Sequence, residues 1–285
     1  MRDTCDILAI DVGGTFIKCG LFSEELKEKW GDKKDTPKDT ESFIGALKGI
    51  CDEAKEKSEN IRGIGISMPG FIDPETGKNS DFSIPACFTE RNVKEELESY
   101  TGLKVVMEND SNCAAIGEMA KGAGKDLKSF VMVTVGTGLG GATVIDGKLI
   151  RGSHFKSGEL GFCYVGKKRN PEATSGLVNM VREYTKDENV NGEYIFAHMD
   201  DPGIKKIYDE WLYELAMALG NYVTVLDVDC LLVGGGISEE PRFVEGLKGL
   251  ISDMFYLEDY TDVRACALGN NAGKIGAAYL ALKEI

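Results

Sequence analysis

The sequence predicts an α/β protein built from two lobes of similar layout. Two short apolar segments each run into glycines and resume as extended sequence beyond them, once at the start of the chain and again near its middle. Between and after these units, apolar residues recur at the spacing of one helical face. Strands and helices therefore alternate along the chain, which is the pattern of a mixed α/β fold.

The first half gives the order strand, strand, helix, strand, followed by a helix, a strand and a helix. Gly102 is placed to end the second of these helices. The predicted strands are Ile7–Ile10, Phe16–Phe22, Ile61–Ser67 and Val105–Met107, and the predicted helices are Thr40–Lys57, Asn92–Thr101 and Asn112–Ala120.

The second half repeats the opening layout after a glycine-rich link. Gly136, Gly138 and Gly141 match the G-x-G-x-x-G spacing of a dinucleotide-binding turn, but that turn requires a helix to follow the glycines. Here a β-hairpin follows, with Asp146-Gly147 as a strong turn signal, so a nicotinamide-type site is excluded. The later predicted elements are the strands Phe130–Val135 and Cys230–Val233 and the helices Ile204–Val225 and Ala272–Lys283.

These elements divide into two expected domains. Residues 1–120 form the N-terminal lobe, completed by the C-terminal helix 272–285, and residues 121–271 form the C-terminal lobe.

The composition narrows the class of function. Thirty-three basic residues against 47 acidic ones give a net charge of −14, which argues against a nucleic-acid or anionic-membrane partner. No apolar run approaches the ~20 residues that span a bilayer. The charged N-terminus passes directly into a strand, so we expect no signal peptide and a cytoplasmic location.

The cysteines do not form a metal-binding pattern. There are eight of them, scattered without a C-x-x-C pair, and the chain has two histidines. Several cysteines lie in apolar segments, which is typical of reduced, buried thiols. We therefore expect no structural zinc.

The turn after the first strand has the features of a phosphate-binding loop. Gly13 and Gly14 let backbone N–H groups approach an anion, Thr15 offers a hydroxyl group, and Lys18 adds a positive charge. Asp11, at the end of the strand, is placed to hold Mg²⁺ directly or through water. The alternative is a tight hairpin in which Asp11 bonds its own turn.

Two further glycine segments favour a nucleotide. Gly136–Gly141 would add donors around the β- and γ-phosphates, and Gly234-Gly235-Gly236 follows a strand, where an adenosine could lie against bare backbone. The chain contains no G-x-x-x-x-G-K-[ST] motif, so Walker-type binding is excluded.

Asp110 is the candidate catalytic residue. It follows a strand at the start of a helix, where its alternative role is that of the helix N-cap. In a chain with two phosphate loops, a general base that takes a proton from a substrate hydroxyl group is the better interpretation.

Six motifs, in order along the chain, resemble those of the ROK family of bacterial sugar kinases and regulators. Each motif is weak alone, but six in the family's order span nearly the whole chain. They are Asp11-Val12-Gly13-Gly14-Thr15 with Lys18, Met68-Pro69-Gly70-Phe71-Ile72-Asp73, Glu108-Asn109-Asp110-Ser111-Asn112 through Gly117-Glu118, Val135–Ala142, Gly158-Glu159-Leu160-Gly161, and Gly234-Gly235-Gly236.

The resemblance implies a fold, a reaction and a set of site residues. The fold is the actin-like, ribonuclease-H-like ATPase fold, with two lobes that close around a nucleotide cleft, and the cofactors are ATP and Mg²⁺. Members are usually homo-oligomers, so a homodimer is expected. The implied roles are catalytic base for Asp110, sugar contacts for Asn109, Glu159 and Gly70, phosphate contacts for Gly13, Gly14, Thr15, Lys18, Thr137 and Gly138, nucleotide contacts for Gly235 and Gly236, and water-mediated Mg²⁺ binding for Asp11.

The chain departs from the family at its zinc site. Members commonly have Glu-x-Gly-His and a C-x-C-G-x-x-G-C loop that together bind zinc, and that His also touches the sugar. Here Phe162 takes the place of the His, and 167–171 contains no cysteine. The zinc site is therefore expected to be absent. Glu172 and His154 are further candidate sugar contacts, although a solvated loop is the alternative for His154.

The leading hypothesis is an ATP-dependent kinase that phosphorylates the 6-hydroxyl of glucose or of an N-acetylated hexosamine such as N-acetylmannosamine. A β-glucoside or disaccharide kinase is the alternative within the family. A sugar-responsive repressor is disfavoured, since we expect no helix-turn-helix module ahead of a loop that begins at Asp11. A non-catalytic sugar-binding protein is the third alternative.

Overall fold

The computed structural model describes residues 5–81, 83–136, 138–165, 168–169, 174–255 and 260–285. Two predicted site residues, Thr137 and Glu172, lie outside these ranges. The chain forms two compact units. Unit 1 comprises Met1–Lys125, Arg151–Lys156 and Asn270–Ile285, and unit 2 comprises Asp126–Ile150 and Ser157–Gly269. Within the described ranges, no helix is both long and apolar enough to cross a membrane.

Unit 1 contains a five-stranded mixed sheet in the order β3-β2-β1-β4-β5. The first three strands pair antiparallel, whereas β1, β4 and β5 run parallel. Its elements are β1 (Asp6–Val12), β2 (Phe16–Ser23), β3 (Glu28–Asp35), α1 (Thr40–Lys57), β4 (Ile61–Met68), α2 (Val93–Thr101), β5 (Lys104–Asn109), α3 (Asp110–Lys121) and α8 (Ala272–Glu284).

Helix α8 packs unusually close to α3 and β4. A Cβ atom on Gly276 would overlap the carbonyl oxygen of Cys113 in α3, and one on Gly65 would overlap the carbonyl oxygen of Ala277. Only glycine permits such an approach of two backbones. The chain's last helix is thereby fixed against the strands that carry the candidate site.

Unit 2 contains a second five-stranded sheet, in the order β12-β11-β6-β7-β8. Strands β6, β7 and β8 pair antiparallel, and β6, β11 and β12 run parallel. The elements are β6 (Phe130–Val135), β7 (Leu139–Ile145), β8 (Lys148–Leu149), β9 (Tyr164–Val165), β10 (Lys168–Arg169), α4 (Thr174–Thr185), α5 (Gly192–Ala197), α6 (Pro202–Leu226), β11 (Cys230–Gly234), α7 (Pro241–Phe255) and β12 (Asp262–Ala265).

The two sheets have the same topology, which confirms the repeated layout. In each one, a strand pairs antiparallel with the strand after its glycine turn and parallel with a strand that follows a helix. Each sheet rests on its own apolar core, and the unit 2 core is dominated by the buried stripe of α6, including Leu212, Leu215 and Leu219.

Several elements escaped prediction. β3, with the sequence EKWGDKKD, is an edge strand whose side chains are mostly exposed, so it lacks the apolar alternation that marks a strand. Helix α7 does bury Phe243, Leu247 and Ile251 at four-residue spacing, although no helix is predicted there. Helices α4 and α5 and strand β12 are also new.

The close packing of α8 gives a matched pair of glycine variants. We expect Gly276→Ala to lower the free energy of unfolding by about 1–3 kcal/mol, because backbone must move to admit the methyl group. Gly45 in α1 has open space where a Cβ atom would lie, so Gly45→Ala should raise the free energy of unfolding by about 0.5–1 kcal/mol. Urea unfolding measures both, and equal effects would contradict the packing argument.

Candidate active site

Three polar residues lie side by side at one edge of the unit 1 sheet. The parallel register places Asp11 of β1 beside Ser67 of β4, and Ser67 beside Glu108 of β5. The Ser67 hydroxyl donates to Asp11 Oδ1 at 2.6 Å. Because carboxyl ends of parallel strands are where α/β proteins bind ligands, this edge is the natural site in unit 1.

The first glycine loop is the turn between β1 and β2. Gly13 N–H donates to the Phe16 carbonyl at 2.9 Å, as in a tight hairpin. The Asp11 carboxylate bonds Ser67 on a neighbouring strand and lies 3.7 Å from Lys18 Nζ. Asp11 is therefore fixed at the strand end, with a cation beside it.

Two residues that the sequence analysis did not single out brace this loop. The Thr36 hydroxyl donates to the Gly13 carbonyl at 2.7 Å, and Lys38 Nζ donates to the Gly14 carbonyl at 2.6 Å. Gly14 and Thr15 themselves are exposed. The loop thus presents backbone and two nearby lysines, Lys18 and Lys38, to solvent, which suits an anion.

The strand-to-helix corner places Asn109 and Asp110 together. Asn109 is the N-cap of α3, since its Oδ1 accepts from the Asn112 N–H at 3.1 Å. Asp110 is the first helical residue, so the N-cap alternative for Asp110 is wrong. Its Oδ1 accepts from the Ser111 N–H at 2.8 Å. Asn109 therefore supplies the cap that an Asp at a helix start ordinarily provides.

The Asp110 carboxyl has a perturbed acidity. Burial raises its pKa above the ordinary value of 3.8, and the nearby negative charge of Asp11 raises it further. A carboxylate held in such surroundings binds a proton more readily than a solvated one. This is the property that a general base requires.

The Asn109 amide is oriented from both ends. While its oxygen caps α3, its Nδ2 donates to the Gly70 carbonyl at 3.0 Å. Gly70 is buried with φ +113°, and a Cβ there would overlap the side chain of Asn79. Both ends of the Asn109 amide are thereby held in fixed directions beside Asp110.

Glu108 is a buried carboxylate behind this corner. It is 1% exposed, and its Oε1 accepts from the Asn109 N–H and from Asn112 Nδ2, each at 2.9 Å. Its Oε2 pairs with Arg151 Nε at 2.5 Å. Neither role is evident in the sequence, because 43 positions separate the two residues.

In unit 2, Gly136 and Gly138 of the second glycine loop and Gly236 of the glycine segment after β11 face open space. The Gly136 N–H donates to the Gly138 carbonyl at 3.0 Å across the turn between β6 and β7. A Cβ on Gly136, Gly138 or Gly236 would meet no atom within 4 Å. Packing therefore does not explain glycine at these positions, whereas close approach of a ligand to the backbone would.

A cavity of about 890 Å³ in unit 2 joins these two loops. Its walls include Gly136 and Gly236, together with residues of α4, α5 and α7 that carry no predicted role. Among them are Asn179, Arg182, Phe196 and Arg242. Gly235, unlike Gly236, is closely packed. Its backbone, at φ +90°, lies against the Val135 carbonyl, and this contact fixes the loop to the end of β6.

Glu159 is positioned in unit 2 by a contact between two glycines. Gly141 of β7 and Gly158 lie backbone to backbone, with no room for a Cβ on either one. Gly158, at φ +87°, then leads into Glu159, which is half-buried. The third glycine of the G-x-G-x-x-G spacing therefore positions the Glu159 segment.

The remaining candidates lie on the chain between and after these elements. His154 is exposed on the segment 151–156 of unit 1. Phe162 is 52% exposed in unit 2. The described part of the chain brings no three His, Cys, Asp or Glu side chains into a metal-binding cluster, but 166–167 and 170–173 fall outside it, so the absence of zinc stays a prediction.

Comparison with known proteins gives consistent matches over the whole chain. A β-glucoside kinase of Listeria monocytogenes is 33% identical, with 98% of each chain covered. The structure of the Lmo2764 protein of Listeria monocytogenes, described as a candidate N-acetylmannosamine kinase, superposes with a TM-score of 0.87 at 31% identity over 98% of this chain and 99% of that one.

A third match has ligands bound. The ROK family glucokinase of Streptomyces griseus, solved with glucose and AMPPNP, gives a TM-score of 0.82 at 26% identity, covering 98% of this chain and 99% of the other. The fold is thus that of the ROK sugar kinases, the actin-like ATPase fold. The family description "ROK family" matches residues 7–284. The chain belongs to the ROK family.

Proposed function

We propose that this chain is an ATP-dependent sugar kinase that transfers the γ-phosphate to the 6-hydroxyl group of a hexose. The observation that carries the proposal is the Asp110 corner: a carboxylate of raised pKa lies beside an oriented Asn109 amide at the carboxyl ends of the parallel strands β1, β4 and β5. The kinase names of the matched relatives support the same reaction.

On the acceptor side, Asp110 would accept the proton of the 6-hydroxyl group. The hydroxyl oxygen then forms the new bond to the γ-phosphorus while the bond to the β-phosphate oxygen breaks, and ADP leaves. Asn109 would hold neighbouring sugar hydroxyls, as would Glu159. Gly70 acts at least through Asn109, whose amide it orients. Glu172 and His154 are proposed as further sugar contacts.

On the donor side, the two glycine turns would bind the phosphates. The first offers Gly13, Gly14 and Thr15 with Lys18 nearby, and the second offers Gly138 and Thr137. Asp11 fits water-mediated Mg²⁺, since Mg²⁺ bound to ATP needs only one or two protein carboxylates. Bound there, Mg²⁺ would neutralise charge that develops on the phosphates. Gly235 and Gly236 would face the nucleoside, in or beside the unit 2 cavity.

The acceptor is proposed to be glucose or an N-acetylated hexosamine such as N-acetylmannosamine. A β-glucoside is the second candidate, because a relative of 33% identity over 98% of the chain is named a β-glucoside kinase. A homodimer, a cytoplasmic location and a site without zinc complete the proposal.

The first test couples ADP release to a panel of sugars. We expect wild-type turnover with glucose, N-acetylmannosamine or a β-glucoside such as cellobiose, and a loss of ~10²–10⁴-fold in Asp110→Asn, because proton transfer to a positioned base contributes about that much. Absence of turnover with every sugar, from a protein that binds ATP, would contradict the kinase proposal.

The same variant also separates a catalytic from a structural role. The pKa of Asp110 is higher in the folded chain than in the unfolded chain. The folded chain therefore loses stability as the pH rises from the unfolded-state pKa through the folded-state pKa, and the ionised Asp110 makes it less stable at neutral pH than at low pH. Asn keeps the acceptor for Ser111 N–H without the charge. Asp110→Asn should therefore be at least as stable as wild type by thermal unfolding at pH 7. A clear drop in Tm would indicate a structural aspartate.

The raised pKa also sets the acid limit of activity. The base must be ionised, so kcat/KM should fall about tenfold per pH unit below the Asp110 pKa, and this limb should lie above the ordinary 3.8. Asp11→Asn removes the negative charge that also raises the pKa of Asp110. The acid limb of its residual activity should therefore lie at lower pH than that of the wild type. A wild-type profile that stays flat into the ordinary aspartate range would contradict the assignment.

Glycines with open space test the phosphate contacts. We expect Gly14→Ala and Gly136→Ala to raise KM for ATP at least several-fold, because a methyl group would intrude where the backbone meets phosphate. Gly45→Ala, in equally open space on α1, is the matched control and should leave KM unchanged. If all three variants bind ATP alike, these turns do not contact the nucleotide.

A further inference from the structure

The segment Arg151–Lys156, which we call the strap, is held by unit 1 although the chain on both sides of it belongs to unit 2. It follows β8 and leads to Ser157, so six residues cross into unit 1 and leave again. Such an excursion needs contacts to hold it in place, and the structure provides one at each end of the strap.

At its start, Arg151 pairs with the buried carboxylate of Glu108. Nε lies 2.5 Å from Oε2, and the Glu108 side chain is 2% exposed. The other carboxylate oxygen accepts from the backbone N–H of Asn109 and from Asn112 Nδ2. Glu108 thus ties Arg151 directly to the cap of α3, immediately before Asp110.

At its end, Lys156 lies over the ring of Phe71. The ammonium nitrogen is 4.4 Å from the ring centroid. Phe71 directly follows Gly70, whose carbonyl orients the Asn109 amide. Between the two ends, Phe155 has φ +59°, a conformation that a bulky residue keeps only when its surroundings impose it.

We propose that the strap positions the acceptor site: Arg151 and Lys156 fasten it to the two segments that orient Asn109 and Asp110, and Glu108 with Arg151 are positioning residues for the transfer step. The inference rests on the proposed function. A glutamine at position 108 would keep the hydrogen bond from the Asn109 N–H but lose the ion pair with Arg151. The corner would then relax, and small misplacements of reacting groups lower rates strongly.

The chain offers a matched control at the opposite end of the same sheet. Asp6, 4% exposed at the start of β1, pairs with Lys29 Nζ at 2.5 Å and accepts from the Ser58 hydroxyl. It resembles Glu108 in burial and Lys29 resembles Arg151 in exposure, at 39% against 34%. Asp11 and Asn109 lie at the other end of their strands, so the Asp6 pair can affect stability without touching the corner.

The experiment compares Glu108→Gln, the double variant Glu108→Gln/Arg151→Met, and Arg151→Lys with Asp6→Asn/Lys29→Met. We expect kcat for the sugar to fall ~10–100-fold in the first two while KM for ATP stays within about twofold, with partial recovery in Arg151→Lys. Lys156→Met should lower kcat about 2- to 5-fold, which corresponds to the energy of an exposed cation–π contact. The control should change Tm and leave kcat unchanged.

Two outcomes overturn the inference. Unchanged kcat in folded Glu108→Gln overturns it, as does an equal loss of kcat in the Asp6 control, which would mark a general stability effect. If the double variant fails to fold, Glu108→Gln alone decides by the same criterion. A wild-type protein that phosphorylates no sugar overturns the proposed function itself, and is distinguished from the other failures because no variant is needed to see it.

Discussion

The candidate acceptor site depends on the register of three parallel strands. In this register Asp11, Ser67 and Glu108 stand in one row across β1, β4 and β5, and the residues that follow Glu108 begin the corner with α3. A slip of one residue would turn each side chain to the other face of the sheet. The apolar core beneath these strands and the glycine contacts of α8 hold that register. The chemistry at the edge is therefore a consequence of packing elsewhere in unit 1.

At this edge, stability and function oppose each other. Two carboxylates, Asp11 and Asp110, lie close enough for one to raise the pKa of the other, and burial adds to the effect. A protein selected only for stability would have a neutral residue at one of these positions. The buried charge of Glu108, in contrast, is stabilised, because one carboxylate oxygen accepts two hydrogen bonds and the other pairs with a guanidinium. The Glu108 carboxylate is thus paired with a cation, whereas the charge that acts on Asp110 is that of another carboxylate, Asp11. This difference supports Asp110 as the candidate base.

Local signals predicted much of the fold and named the residues of the candidate site. Glycine turns between apolar strands, the Asp146-Gly147 hairpin and the helical period of α1 depend on neighbouring residues, and the structure has them where the sequence places them. The strand β3 was not predictable from apolar pattern, because an edge strand that faces solvent on both sides needs none. The N-cap position of α3, which Asn109 occupies and Asp110 does not, also depends on a one-residue boundary, and helix boundaries shift by one or two residues.

Contacts distant in sequence were beyond prediction. Arg151 meets Glu108 only because the strap returns to unit 1, and Lys38 meets Gly14 only because β3 brings the chain back to the first loop. Part of the wall of the unit 2 cavity comes from α4, α5 and α7, which no motif in the sequence indicates. Motifs named the candidate site residues, whereas the residues that hold them in place required the structure.

In the proposed reaction, the Asp110 carboxylate meets the hydroxyl group that is phosphorylated. The most direct measurement is a crystal structure of the wild-type chain with an accepted sugar and a non-hydrolysable ATP analogue. We expect an Asp110 oxygen within about 2.6–3.2 Å of the sugar O6 and the Asn109 amide on neighbouring hydroxyl groups. A sugar whose O6 is bound by another base, with Asp110 out of hydrogen-bonding reach, would contradict the account.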